Sequence, residues 1–226
     1  MKRRRAPRGS GEQLREEILD AATDLLLETG HVKEVSIRSV AQRVGVTPPS
    51  IYLHFADKDA LLDAVCARYF EKLDEEMQSV AARQPSTIEV LRAQGLEYVR
   101  FAMKTPELYR VATMGESRPG SDMDMALNSS AFVHLRATVE KLMAEGIYPP
   151  GDSTATALEL MTVAHGVAAM LISKPYLPWG DMEDFADRVL TAVCLGHITK
   201  GAVDPDAPPP ETVAQLKGLL NVEHGR

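Results

Sequence analysis

Gly45 sits between two short helical patterns, and few chain arrangements accommodate both. Upstream, Ile37, Val40, Ala41 and Val44 fall at i, i+3, i+4 and i+7, the spacing of an amphipathic helix over two turns. Ser36 stands before them as an N-cap residue. Downstream, Thr47 precedes Pro48, and a proline at the first helical position removes an N–H that would have no partner in the helix. Pro49 follows within the same tolerant turn, so Thr47 is expected to cap the N–H of Ser50. Val46 and Ile51 have the spacing of a hydrophobic staple. Ile51 and Phe55 share one helix face, Pro49, Ser50 and Leu53 point the other way, and Tyr52 and His54 lie on the flanks. Glycine supplies the left-handed residue needed to turn the chain sharply between two such helices. The pattern is a helix-turn-helix, whose second helix can enter a DNA major groove while the first crosses the backbone.

Charge supports that reading only locally. The formal net charge is −7, whereas Lys2, Arg3, Arg4, Arg5 and Arg8 make the N-terminal end basic. Residues 1–11 read as a flexible basic arm. Two roles stay open for it, a solvated tail or an arm that tracks phosphate or enters a minor groove. Cys66 and Cys194 are too far apart in sequence for a disulfide framework or a zinc site and read as small core residues. No apolar run follows the basic end, and the run Leu160–Ile172 is short for a bilayer and carries His165. A cytoplasmic protein with no membrane partner is the expectation.

The rest of the chain reads as helices joined by proline and glycine turns. Leu14, Ile18, Ala21, Ala22, Leu25 and Leu26 stripe a first helix over 12–29, which Gly30 stops. A long helix is expected from Asp57, its N-cap, to Gln84. Ser86 and Glu89 form a capping box for the next, to Lys104. A short helix TPELYRVATM follows, then a loop at 119–121 and helices over 122–145, 153–173 and 181–199. Residues 204–210 read as an acidic, proline-rich linker before a short amphipathic helix or tail. No strand alternation or repeat interrupts this. The expected fold is all-α: a three-helix DNA-binding domain with the helix-turn-helix over 12–60, a larger helical body over 61–203, and the tail over 204–226.

The stretch Ser36–Leu61, SIRSVAQRVGVTPPSIYLHFADKDAL, resembles the DNA-binding domain of the TetR family of bacterial transcriptional regulators. Ile37, Val40, Ala41, Gly45, Val46, Thr47, Ile51, Tyr52, His54, Phe55, Lys58 and Leu61 carry the resemblance, and Ala21, Ala22, Leu25 and Gly30 extend it, so it covers roughly residues 12–62. It implies a double-stranded DNA operator as partner. It also implies phosphate contacts from Tyr52, His54 and Lys58. Ser36 and Thr47 add helix N-termini, which attract phosphate. Pro48, Pro49, Ser50 and Leu53 form the groove face, which departs from the family in being poor in hydrogen-bonding groups. Apolar contact with thymine methyls, Ser50, and polar readout by Arg38 and Gln42 are the remaining means of base recognition. Tyr52 also fits a partly buried aromatic, and His54 a plain surface histidine.

TPELYRVATM and AHGVAAMLI resemble, more weakly, ligand-binding domains within the same family. They imply a body that binds an unknown small-molecule effector and forms a homodimer through its last two long helices. Candidates for the pocket are Met103, Tyr109, Met114, Leu127, Met161, His165 and Trp179, because methionine adapts to irregular ligands and Tyr, His and Trp bring polar tips into apolar space. The same residues also fit plain core packing. A ligand-responsive repressor is the function the resemblance implies. Two alternatives are a helical scaffold for another protein and an enzyme using His165 or Glu159 as a base in an apolar cavity. No G-x-S-x-G, H-E-x-x-H, C-x-x-C or phosphate loop supports catalysis, and neither a cofactor nor a metal is implied.

Overall fold

The computed structural model describes residues 10–114, 130–204 and 206–222, with the backbone alone at 10, 114 and 219–222. Among these residues every regular element is an α-helix. The chain divides into two compact units, residues 1–74 with 104–131 and residues 75–103 with 132–226.

The first unit holds α1 (Ser10–Thr29), α2 (Ile37–Val44), α3 (Pro48–Ile51), the start of α4 (Lys58–Ala81) and α6 (Pro106–Met114). Ile18, Leu19, Ala22 and Leu26 of α1 are buried, as are Val40 and Ala41 of α2 and Ile51, Phe55, Leu61 and Val65 beyond them. Leu19 lies outside the stripe read from sequence and widens the buried face of α1. Gly30 ends the helix at φ +69, and its N–H donates to the Leu26 carbonyl at 2.9 Å. Arg68 reaches back from α4 to α1, donating to Asp20 at 2.8 Å and to Thr23 at 3.0 Å. Cys66 is buried and unbridged, and burial pushes its thiol up to about 12, so it is an inert core residue.

The second unit holds the end of α4, then α5 (Thr87–Lys104), α7 (Ala131–Ala144), α8 (Ser153–Ser173), α9 (Met182–Lys200) and α10 (Pro209–Val222). Its core joins Leu91 of α5 with Leu135, Val139 and Leu142 of α7, Tyr148 of the turn that follows, Ala157 and Leu160 of α8, and Cys194 of α9. Polar ends are satisfied locally. Asp152 accepts from the N–H groups of Thr154 and Ala155 at 2.8 and 3.1 Å, and Asp181 accepts from that of Asp184 at 2.9 Å. Of the capping box expected at α5 one half is present, the Glu89 N–H donating to Ser86 Oγ at 3.4 Å, while Ser86 Oγ itself donates to the Glu89 carboxylate at 2.6 Å.

Three boundaries differ from the sequence pattern. The described helix α7 begins at Ala131 after a turn at Ser130, and residues 122–129 and the loop at 119–121 lie outside the described residues. At its far end, α4 stops at Ala81, where turn bonds take over through Gln84. The proline-rich linker is shorter than expected, because Pro209 opens α10 at the position where proline suits a helix. The 21-residue α8 outruns its apolar centre, and by length and composition it is long enough to cross a membrane. Ala157, Leu160, Ala164, Val167, Ala168 and Leu171 bury one face of it within this unit.

Candidate DNA-reading surface and effector cavity

The helix-turn-helix is held by its caps. Ser36 and Ser39 form a reciprocal capping box, the Ser39 N–H donating to Ser36 Oγ at 3.1 Å and the Ser36 N–H to Ser39 Oγ at 2.9 Å. Gly45 follows at φ +75, and its N–H and that of Val46 close on the carbonyls of Gln42 and Ala41 at 3.3 and 2.9 Å. The expected cap from Thr47 does not form. Instead the Ser50 N–H donates to the Thr47 main-chain carbonyl at 2.8 Å, and the two hydroxyls pair at 3.1 Å. The two prolines leave the Ser50 N–H as the first donor in this turn, and the main chain claims it.

After one α-helical turn the chain continues as hydrogen-bonded turns, with the His54 and Phe55 N–H groups donating to the Ile51 carbonyl at 2.9 and 3.0 Å. Ile51 and Phe55 are buried, Leu53 is 83 % exposed and Tyr52 is 54 % exposed. Thr47, Pro48, Pro49, Arg38 and Gln42 are exposed, while Ser36, Ser50, His54 and Lys58 are partly so. Arg38 and Gln42 stand one turn apart on α2 and share a face. Arg43, the other cation of α2, is engaged by Glu28 of α1, and this hydrogen bond holds the Glu28 carboxyl below its ordinary range. Lys58 donates from Nζ to the Val32 carbonyl at 2.7 Å, tying α4 to the segment before α2. An ammonium has three donors, so this bond is compatible with a phosphate contact. Asp57 caps α4 through the Ala60 N–H at 2.8 Å, as read from sequence. Arg3, Arg4 and Arg5 lie outside the described residues.

The second unit contains a cavity of about 490 Å³, its open mouth included. Met77, Leu91, Leu135, Leu160, Met161, Ala164 and Leu190 make most of its wall. Three polar side chains interrupt it, Arg92, Gln94 and Tyr98 of α5. The Arg92 guanidinium binds both oxygens of Asp187 at 2.6 and 2.7 Å, and this hydrogen-bonded pair lowers the pKa of Asp187. Tyr98 Oη lies 3.3 Å from His165 Nδ1, and burial shifts His165 toward its neutral form. Gln94 is 1 % exposed, and its Oε1 is buried with no hydrogen-bond partner.

Of the pocket candidates, Met161 lines this cavity and His165 reaches it through Tyr98. Met103 is half-buried elsewhere on α5. Tyr109 is buried in the first unit. Trp179 braces the α8–α9 loop, its indole N–H donating to the Lys174 carbonyl at 2.8 Å and its ring lying 4.8 Å from that of Phe185. Leu127 and the side chain of Met114 lie outside the described residues. Sequence reasoning missed Gln94 and Tyr98. Their signal was available: Leu91, Gln94, Gly95 and Tyr98 fall at i, i+3, i+4 and i+7, so a glutamine occupies an apolar stripe. Among the described residues no cluster of His, Cys, Asp and Glu has the makings of a metal site.

Two family descriptions match this chain. Residues 18–65 match the tetR family of bacterial regulatory proteins, and residues 91–193 match the tetracyclin repressor-like C-terminal domain. The class D tetracycline repressor of Escherichia coli is 45% identical over 51 residues, which is 23% of each chain. This match thus spans about a quarter of that repressor. The nucleoid occlusion factor SlmA of Vibrio cholerae is 24% identical over 178 residues, covering 76% of this chain and 91% of that protein. A solved structure of a Rhodococcus sp. RHA1 protein of unknown function shares the fold, with a TM-score of 0.73 and 24% identity over 82% of this chain and 95% of that one.

Proposed function

We propose that this chain, which belongs to the TetR family of bacterial regulators, is a homodimeric repressor that leaves its operator when a small molecule fills the cavity of the second unit. That it is a DNA-binding transcription regulator follows from the family; repression, effector response and dimerisation are the proposal. The observation that carries it is the division of labour at α3, where Ile51 and Phe55 are buried while Tyr52 and Leu53 face outward with the two prolines. Exposed apolar and aromatic residues on a stapled turn have a purpose if a groove receives them.

On this reading Tyr52, His54, Lys58, Ser36 and Thr47 hold phosphates, while Pro48, Pro49, Ser50, Leu53, Arg38 and Gln42 meet base edges. Two copies place their reading heads in successive major grooves, about 34–36 Å apart or at a related spacing. Helix α4 contributes to both compact units, so a change in the second unit has a covalent route to the first. The effector lowers DNA affinity by its own preference for the released state.

Gel-shift titration against the DNA upstream of the gene is the test. Sequence-preferential binding that weakens steeply with salt is the expected result, and binding without sequence preference would sink the operator reading. A second reading has specific support, because the curated SlmA relative matching along most of this chain is a nucleoid occlusion factor. Transcript levels of neighbouring genes in a deletion strain separate the two: derepression favours the repressor, and no transcript change favours a DNA-bound role outside transcription.

A further inference from the structure

We propose that the cavity selects a compact neutral alcohol or phenol, whose hydroxyl pairs with the side-chain amide of Gln94. This rests on the effector reading above and names the chemistry of that same site. Gln94 lines the cavity at 1 % exposure, and its Oε1 is buried with no hydrogen-bond partner. Leaving such an acceptor unpaired is unfavourable, whereas an incoming hydroxyl satisfies it. A hydroxyl both donates and accepts, so it pairs with the amide whichever way the oxygen and nitrogen are turned.

Charge excludes the other common effector chemistries. The cation at the wall, Arg92, is already chelated by Asp187 through two hydrogen bonds, so an organic carboxylate entering here would find its countercharge spent. Among the described residues no acidic side chain lines the cavity to receive an amine cation. The remaining wall is aliphatic and thioether, with Met77 and Met161 able to adapt around a ring. Tyr98 contributes its ring while its hydroxyl is held near His165. The enclosed part of this space is a small fraction of the volume that includes the mouth, so it suits one ring or a short chain and not a long acyl group.

The test is calorimetric titration of the full chain, without DNA, with phenol, cyclohexanol, benzoate, cyclohexanecarboxylate and toluene. Phenol and cyclohexanol are expected to bind, with each carboxylate at least roughly tenfold weaker than its hydroxyl counterpart. Gln94→Leu should lower the affinity for the hydroxyl compounds roughly tenfold and leave toluene unchanged or tighter. Gln94→Met, closer in shape, should behave alike and serves if the leucine variant is unstable. Carboxylates binding as well as the alcohols, hydroxyl affinity indifferent to both substitutions, or no binding by any of the five would each overturn the assignment. A parallel gel shift separates this from the effector reading. Gln94-dependent binding that leaves DNA bound supports the ligand class and removes the effector role, whereas release of DNA by a carboxylate alone retains the effector role and overturns the ligand class.

Discussion

Ile51 and Leu53 stand two residues apart and have opposite fates, 0 % and 83 % exposed. Truncating each to alanine therefore separates folding from reading. Ile51→Ala empties a fully buried site and should cost about 2–5 kcal/mol in chemical denaturation. Leu53→Ala should change stability by no more than about 0.5 kcal/mol and shift which sequences are preferred in a binding-site selection. Equal DNA preference in Leu53→Ala and the parent would remove Leu53 from the groove face. His197 offers a second residue-level test. It is buried, 5.5 Å ring to ring from Tyr148, and burial first and Lys200 second lower its pKa, against the opposing pull of Glu159 at 3.4 Å. A histidine lowered on folding takes up its proton more readily when unfolded. Stability is thus fully present above the unfolded value, about 6.5, and falls as the pH drops below it. Melting temperature should decline from pH 7.5 to 5.5, with a shallower decline in His197→Gln; a residual slope in the same direction is expected from His165.

At the scale of elements, the turn between α2 and α3 depends on one backbone conformation. Gly45 has φ +75, and a Cβ added there would meet nothing within 4 Å, so any penalty for a side chain is backbone strain and not collision. Gly45→Ala should lose about 1–2 kcal/mol in thermal or chemical unfolding, and Gly45→Asn less, because asparagine tolerates the left-handed region better. Equal losses in both would point to a cause other than φ. The same turn shows what the sequence makes legible. Gly45, Ser36, Asp57 and the Ser86 cap could all be read because a cap is decided by residues within a few positions of one another. The failed Thr47 cap is the instructive exception, since two adjacent prolines made the side-chain and main-chain acceptors compete for a single N–H. The cavity was far less legible. Its wall draws on α4, α5, α7, α8 and α9, and only their assembly shows that Met161 faces it while Trp179 and Tyr109 are spent on other contacts. Gln94 could have been suspected from its stripe, but the lack of a partner is a property of three dimensions.

For the whole molecule, the proposed homodimer makes a definite demand on the surface of α8 and α9. Helix α8 is strongly apolar, with a mean hydropathy of 1.6 over its best window, yet only 33% of that window is buried. Ala155, Leu158, Thr162, Gly166 and Met170 are exposed along it at helical spacing, and Ala192, Leu195, Gly196 and Thr199 are exposed on α9. A Cβ at Gly166 or Gly196 would meet nothing within 4 Å, in contrast to Gly95, where it would come within 3.4 Å of Leu190. A glycine inside a helix is less favourable than alanine by about 1 kcal/mol, so packing within one chain does not account for these two. The proposed homodimer would give them a use, the close approach of a second backbone, and two helices of small and apolar residues suit a two-fold, self-complementary contact. Leu195→Glu and Gly166→Glu each place a charge at the centre of that face without touching the buried side. Sedimentation at micromolar concentration should give a dimer for the parent and a monomer for both variants, with helical content unchanged. Operator affinity should fall with the dimer, since a monomer engages one half-site where the dimer engages two. Variants that stay dimeric would place the interface elsewhere; variants that become monomeric yet bind a full operator as tightly would show that each reading head works alone.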